Sequence, residues 1–169
     1  MDDAVKRLMP ERVQLGQYMA STVVNAIGQW RDPDVKNPQG LRTVMGYLLP
    51  TWQRPLVWTT DQKVKLIESL WRGINIGTYT FNRTRWEGMY DNLLIDGQQR
   101  LWAIQCYLED QFPVFGYRWS EVTLVDQRFF ETGAHFHCYI TESEDEAYLK
   151  SYYNMMNFGG TAHRESERA

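Results

Sequence analysis

Little in this sequence favours a membrane, a metal cage or a disulfide framework. No uninterrupted apolar segment is long enough to cross a bilayer. Cys106 and Cys138 are the only two cysteines, isolated and without metal-ligand spacing, so two reduced, buried thiols in an intracellular protein are expected. A basic excess is also missing. The formal charge is -3 and the pI near 5.6, which argues against a large footprint on duplex DNA, where phosphate neutralisation supplies most of the affinity. A small anion pocket needs only two or three placed donors and is not excluded. The opening "MDDAVKRLMP" is charged and has no apolar h-region, so no signal peptide is expected. There is no internal repeat and no low-complexity tract.

What the sequence does contain is core material. With 169 residues, 43% of them hydrophobic and 14% aromatic, it suits one compact domain rather than a disordered chain. From Glu11 to Trp30, Val13, Met19, Val23, Val24 and Ile27 recur at helical spacing and predict a leading helix ending near Gly28. "RDPDVKNPQG" (Arg31 to Gly40) reads as a loop. Residues 1–40 are therefore read as an N-terminal helical extension and loop, and residues 41–169 as the main domain. "LRTVMGYLLP" fits either a strand or a short helix. Pro50 and Pro55 bracket an extended piece holding Trp52, Gln53 and Arg54. Thr59 or Thr60 can cap a helix with Asp61 in its first turn, Val64, Ile67, Leu70 and Trp71 on its apolar face, and Gly73 as its stop.

"TYTF" (Thr78 to Phe81) and "NLLI" (Asn92 to Ile95) read as strands joined by a turn over Asn82 to Asp91. A helix follows Asp96, with Leu101, Ile104, Tyr107 and Leu108 on its buried side. Beyond Pro113 the pattern predicts mainly β structure, ending in "HFHCYI" (His135 to Ile140). Ser143 and Glu146 form a candidate capping box for a last helix through Leu149, Tyr152, Tyr153 and Met156. The expected class is α+β, with a small mixed sheet flanked by helices.

The chemistry concentrates at the corner "DGQQR". A strand entering a helix through Asp96 and Gly97 leaves the first helical N–H groups unpaired, and those donors favour an anion. Gly97 lets a ligand approach the backbone. Gln98 and Gln99 add amides, and Arg100 can grip a phosphate bidentately. Each residue also has a bland reading: Asp-Gly is a common turn, Asp a common cap, and Gln and Arg are good helix formers. A second cluster, Gln53 and Arg54, sits where no turn requires it. Asn157, Gly159, Gly160 and Thr161 form a third at a helix end, where a glycine C-cap is the plain alternative. Three donor-rich clusters, each at the end of an element, suggest one assembled pocket.

In order, "LPTWQRPLVWTTDQKVKLIESLWRGINIGTYTF", "LLIDGQQRLWAI" and "YYNMMNFGGTAH" resemble the successive signatures of one family. It is the domain family named for its DGQQR motif, found in GmrSD modification-dependent restriction enzymes and in SspE of phosphorothioate defence, and related to the ParB and sulfiredoxin fold. The resemblance covers Leu49 to Arg168. It implies a ParB/sulfiredoxin-like fold, nucleoside-triphosphate binding and Mg²⁺-dependent hydrolysis in the cytoplasm of a bacterial or phage-infected cell. By position it implies that Asp96 to Arg100 form a phosphate corner, with Asp96 the first candidate for the metal and Glu68 a distant second. Gln53 and Arg54 would approach from the extended piece, and Asn157, Thr161 and His163 would close the pocket.

If hydrolysis occurs, it rests on positioning and charge stabilisation. Arg100 and Arg54 would neutralise phosphate charge, and Gln98 or Gln99 would orient a water, so slow turnover, or binding alone, is expected. Two other classes stay open: a ParB-like DNA nuclease or nickase, and a non-enzymatic inhibitor that keeps the fold and binds a host or phage protein. Larger relatives carry an H-N-H type nuclease; this chain has three histidines and no such cluster, so their cutting activity is not expected here. His135 and His137 share one side of a strand but lack a third ligand.

Overall fold

The computed structural model describes residues 15–84 and 88–158. In chain order the elements are β1 (Gln17–Met19), α1 (Val23–Trp30), β2 (Arg42–Val44), β3 (Tyr47–Leu49), α2 (Thr60–Trp71), β4 (Thr78–Asn82), β5 (Leu94–Asp96), α3 (Gln98–Leu108), a 3-10 turn (Trp119–Glu121), α4 (Leu124–Gly133), β6 (His137–Thr141) and α5 (Glu146–Phe158). The class is α+β. Among the described residues, no helix is long and apolar enough to cross a membrane.

Four strands form a mixed sheet in the order β1-β6-β4-β5. β4 is parallel to β6 and antiparallel to β5, and β1 is antiparallel to β6. Tyr79, Thr80, Phe81 and Asn82 of β4 are all buried, as suits an interior strand covered on both faces. Asn82 was expected in a turn. It ends β4 instead, because all its polar capacity is used: Nδ2 donates to the carbonyls of Tyr90 (2.7 Å) and Ser143 (3.0 Å), and Oδ1 accepts from Thr141 Oγ1 (2.8 Å) and Ser143 N (2.9 Å).

The expected leading helix is corrected. Among the described residues, Gln17–Met19 pair with Cys138–Ile140 as strand β1 and the helix spans Val23–Trp30, while Glu11 and Val13 lie outside them. Met19, counted in the helical period, lies on the strand; α1 buries Val23, Ala26 and Ile27. β1 joins the four-stranded sheet, and α1 packs into the larger hydrophobic cluster. "LRTVMGYLLP" resolves into the β2-β3 hairpin, turned through Met45 (φ 50) and Gly46 (φ 77). Positive φ at both central residues gives the strands their native twist.

The β structure expected after Pro113 is also corrected. Thr123 caps α4 by accepting from Asp126 N at 3.2 Å, and only His137–Thr141 is strand. At α5 the cap is Asp145, whose carboxylate accepts from Ala147 N (2.8 Å), while Ser143 Oγ accepts from Asp145 N (3.1 Å). α2 follows the sequence closely: Thr59 and Gln62 form its capping box, and Gly73 (φ 69) lies just past its end.

Two hydrophobic clusters fill the interior. The larger joins α1, α2, α3 and the sheet through Ile27, Ile67, Tyr79, Leu94, Leu101 and Phe136. The smaller seats α5 through Leu48, Leu93, Ile95, Leu149, Tyr152 and Tyr153.

Candidate functional site

β5 passes into α3 through Gly97 alone. Gly97 has φ 95, a region that L side chains rarely occupy, and a Cβ there would stand 2.5 Å from Tyr79 Cβ. Glycine is therefore required twice over, by the turn and by the approach of β4. The first N–H bonded back along the helix belongs to Leu101, which donates to Gly97 O (3.0 Å). The N–H groups of Gln98, Gln99 and Arg100 precede it and have no intrahelical acceptor.

The two amides that follow hold the extended piece between β3 and α2. Gln99 Nε2 donates to Pro55 O (2.9 Å), and its Oε1 accepts from Val57 N (3.0 Å) and Trp58 N (3.2 Å). Gln98 Nε2 donates to Arg54 O (3.1 Å). Gln53 reaches back, its Nε2 donating to Ile95 O (3.0 Å) and Leu94 O. The segment bearing Gln53 and Arg54 is thus stitched to the Asp-Gly corner from both sides. These bonds also fix which end of each amide is nitrogen, since a flip would set oxygen against carbonyl oxygen.

Arg100 is held rather than free. Its guanidinium donates to Ile76 O (2.9 Å) and pairs with Asp96 at 2.9 Å, and it lies 5.6 Å from the centre of the Phe136 ring. Its side chain is 20% exposed and that of Asp96 17%. Arg54 differs: it is exposed, and its side chain makes no ion pair among the described residues. Its backbone N–H donates to the Tyr153 hydroxyl (3.3 Å), and Tyr153 meets Trp52 edge-on at 5.2 Å. Burial raises the Tyr152 phenol above its ordinary range, with the nearby Asp96 carboxylate adding to the shift. That phenol stays protonated beside Thr80, 3.3 Å away.

These groups enclose a cleft of about 80 Å³ lined by Gln53, Arg54, Asp96 to Arg100, Asn157, and also Trp58, Ile95 and Tyr153. All three sequence clusters contribute to it. Asn157 sits on α5, where its Nδ2 donates to Tyr153 O (2.9 Å). Thr161 and His163 lie outside the described residues, and Glu68 is not among the lining side chains. Trp58 and Tyr153 were not among the expected site residues, Tyr153 having been read as part of the last helix; each lies four residues from one that was, Arg54 and Asn157, and that adjacency was the available signal. The volume fits one phosphate group or a few waters, well short of the roughly 300–1,000 Å³ usual for a whole small-molecule ligand.

Two atoms of side chains that line the cleft are out of the ordinary. Gln53 and Gln98 are each 5% exposed, and the Oε1 of each is buried without a hydrogen-bond partner among the described residues. Buried oxygens of this kind suit a cation or a donor group. Asp96, which also lines the cleft, carries a carboxylate of the kind Mg²⁺ takes, with its Oδ2 paired to Arg100.

The remaining candidates lie elsewhere. The rings of His135 and His137 are 5.5 Å apart, and His137 Nδ1 accepts from Ser21 N (3.0 Å); no cluster of three metal-ligating side chains occurs among the described residues. Both cysteines are buried and free, and burial pushes both thiols up.

The family model for the GmrSD restriction endonuclease, N-terminal domain, matches residues 36–167. No curated protein and no solved structure matches the chain.

Proposed function

The chain belongs to the family of GmrSD restriction endonuclease N-terminal domains, and on that premise we propose that it binds a nucleoside triphosphate at the DGQQR cleft and hydrolyses it slowly, in phage restriction or defence. The carrying observation is the assembly of one cleft from Gln53 and Arg54, the α3 N-terminus and Asn157. The first N–H groups of α3, which have no intrahelical acceptor, and the Arg54 guanidinium, which makes no ion pair among the described residues, are suited to an anion. The cleft takes the phosphate end of the nucleotide; the base lies outside it.

In this reading Arg54 contacts phosphate. Arg100 acts one step back: it fixes Asp96 and the loop at Ile76. Gln99, with both ends of its amide engaged, is a positioning residue for the segment that carries Arg54. Mg²⁺ would be held by Asp96 and, when bound, would neutralise phosphate charge. No side chain in the cleft is a strong base, so catalysis relies on positioning and electrostatics and turnover is slow. Restriction-enzyme kinship extends the partners to DNA, and the acidic balance of the chain confines any DNA contact to a local patch.

The test is a thermal-shift screen of ATP, GTP, CTP and UTP with and without Mg²⁺. Ligand at 100 times its dissociation constant stabilises the fold by about 2.7 kcal/mol, and Arg54→Ala should abolish the shift. A second reading, an interaction protein, is favoured by the exposed side chains of Leu124 (74%), Val125 (77%) and Phe129 (66%) on α4. The absence of any nucleotide effect on melting would turn the assignment that way.

A further inference from the structure

A cleft with room for one phosphate group leaves the base of a nucleotide outside it, and two aromatic side chains, Trp58 and Tyr153, are among its lining. Tyr153 is committed to the fold. It is 6% exposed, its ring meets Trp52 edge-on at 5.2 Å, and its hydroxyl accepts from Arg54 N at 3.3 Å. Trp58 is not committed in this way. Trp30, Trp71, Trp102 and Trp119 pack into the larger hydrophobic cluster and Trp52 into the smaller, whereas Trp58 alone among the described tryptophans belongs to neither. It is half-buried, and its indole makes no hydrogen bond or ring contact among the described residues. A side chain of this size ordinarily gives its apolar area to a core or an interface. The main chain here is fixed, by contrast. Trp58 N–H donates to Gln99 Oε1 at 3.2 Å, Val57 N–H donates to the same oxygen at 3.0 Å, and Thr59 follows at once as the cap of α2. The fold thus anchors the backbone of Trp58 and leaves its indole to the cleft.

We propose that Trp58 is the platform on which the nucleobase stacks, so that one ligand is held at two points: its phosphate by Arg54 and the α3 N-terminus, its base by the indole face. The inference rests on the nucleotide-binding reading above and extends it to the part of the ligand that the cleft does not enclose. An indole face is apolar and flat. A base laid on it loses water from one side, and the attraction between the rings adds to that burial. Stacking asks nothing of the hydrogen-bonding edges, because every base has a π-face. The platform therefore distinguishes a nucleotide from a bare polyphosphate rather than one base from another. Gln99 acquires a second consequence. By clamping Val57 and Trp58 to α3, it sets the indole beside the phosphate donors before any ligand arrives, which lowers the ordering cost of binding.

The test compares ATP with inorganic triphosphate, which has the phosphates and no base, both with Mg²⁺. Stacking on an aromatic side chain contributes about fivefold to a hundredfold in affinity, so ATP should bind at least fivefold more tightly than triphosphate. Trp58→Ala should remove that difference, and Trp58→Phe, which keeps a ring, should retain part of it. A second measurement uses the full chain labelled with fluorotryptophan. The ¹⁹F signal of Trp58, assigned by its loss in Trp58→Phe, should move on addition of ATP and stay in place with triphosphate. If Trp58→Ala does not fold, this spectrum decides alone. Equal binding of ATP and triphosphate, a difference that survives Trp58→Ala, or a Trp58 signal unmoved by ATP overturns the platform, while triphosphate binding still keeps the phosphate reading. ATP binding that depends on Trp58 with no triphosphate binding at all would uphold the platform and sink the phosphate corner. Binding of neither ligand overturns both.

Discussion

Arg54→Ala and Arg100→Ala should behave as opposites in stability while agreeing in ligand response. Removing the Arg100 guanidinium strips Ile76 O and Asp96 of their partners and takes a cation from the Phe136 ring. A hydrogen bond to a charged group contributes about 1.5–3 kcal/mol when well buried. Here the pair is partly solvated, and exposed ion pairs contribute roughly 0–1 kcal/mol. A loss of about 1–3 kcal/mol follows. That leaves a folded protein, since domains are stable by about 5–15 kcal/mol. At roughly 2–4 °C per kcal/mol for a chain of this size, the melting temperature should fall by several degrees. The Arg54 side chain makes no ion pair among the described residues, so Arg54→Ala should change stability by no more than about 0.5 kcal/mol. Urea unfolding followed by tryptophan fluorescence measures both losses, and a nucleotide titration of each folded variant measures the response. If Arg54→Ala is destabilised as much as Arg100→Ala, or binds nucleotide normally, the division between a contacting and a positioning arginine is wrong.

Gln99→Leu keeps the volume but leaves Pro55 O, Val57 N and Trp58 N without their partner; a loss of about 2–3 kcal/mol in urea unfolding is expected, with faster proteolysis near Val57. Gly97→Ala meets both a positive φ and the Tyr79 side chain, and should cost more than about 2 kcal/mol or prevent folding, seen as low soluble yield or early melting. Burial lifts the Tyr47 phenol from 10.0 to about 12, its hydroxyl lying 3.3 Å from that of Tyr79. The unfolded chain then loses this proton first as pH rises. Stability is fully present below pH 10 and should fall by about 1.4 kcal/mol per pH unit toward pH 12, a slope that Tyr47→Phe should reduce.

The residues of the candidate cleft were more legible in the sequence than some of the elements around it. Gln53, Arg54, the DGQQR corner and Asn157 stand out because donors and glycines cluster at element ends, and the chain brings them into one cleft. α2 was readable because its capping box and terminal glycine are local signals. β1 was not: it is a three-residue edge strand whose partner, β6, lies about 120 residues away. α4 was missed for a different reason. Its large apolar side chains Leu124, Val125 and Phe129 face solvent, while Phe130 is its one buried residue, so its hydrophobic pattern does not mark an inward face. The clamp made by Gln98 and Gln99 closes on backbone groups, and a sequence does not display where its backbone will be.

The seating of α5 has a thermodynamic side. It brings Tyr153 and Asn157 to the cleft, yet it rests on the smaller cluster, apart from the core that holds α2 and α3. Such a helix can lift as a cooperative unit while β4 and β5 stay paired. A ligand larger than a phosphate would need that lift, and the work of lifting would be subtracted from its affinity. Substitutions at Leu149 or Tyr152, which never touch the ligand, should therefore tune binding through the population of the open form alone.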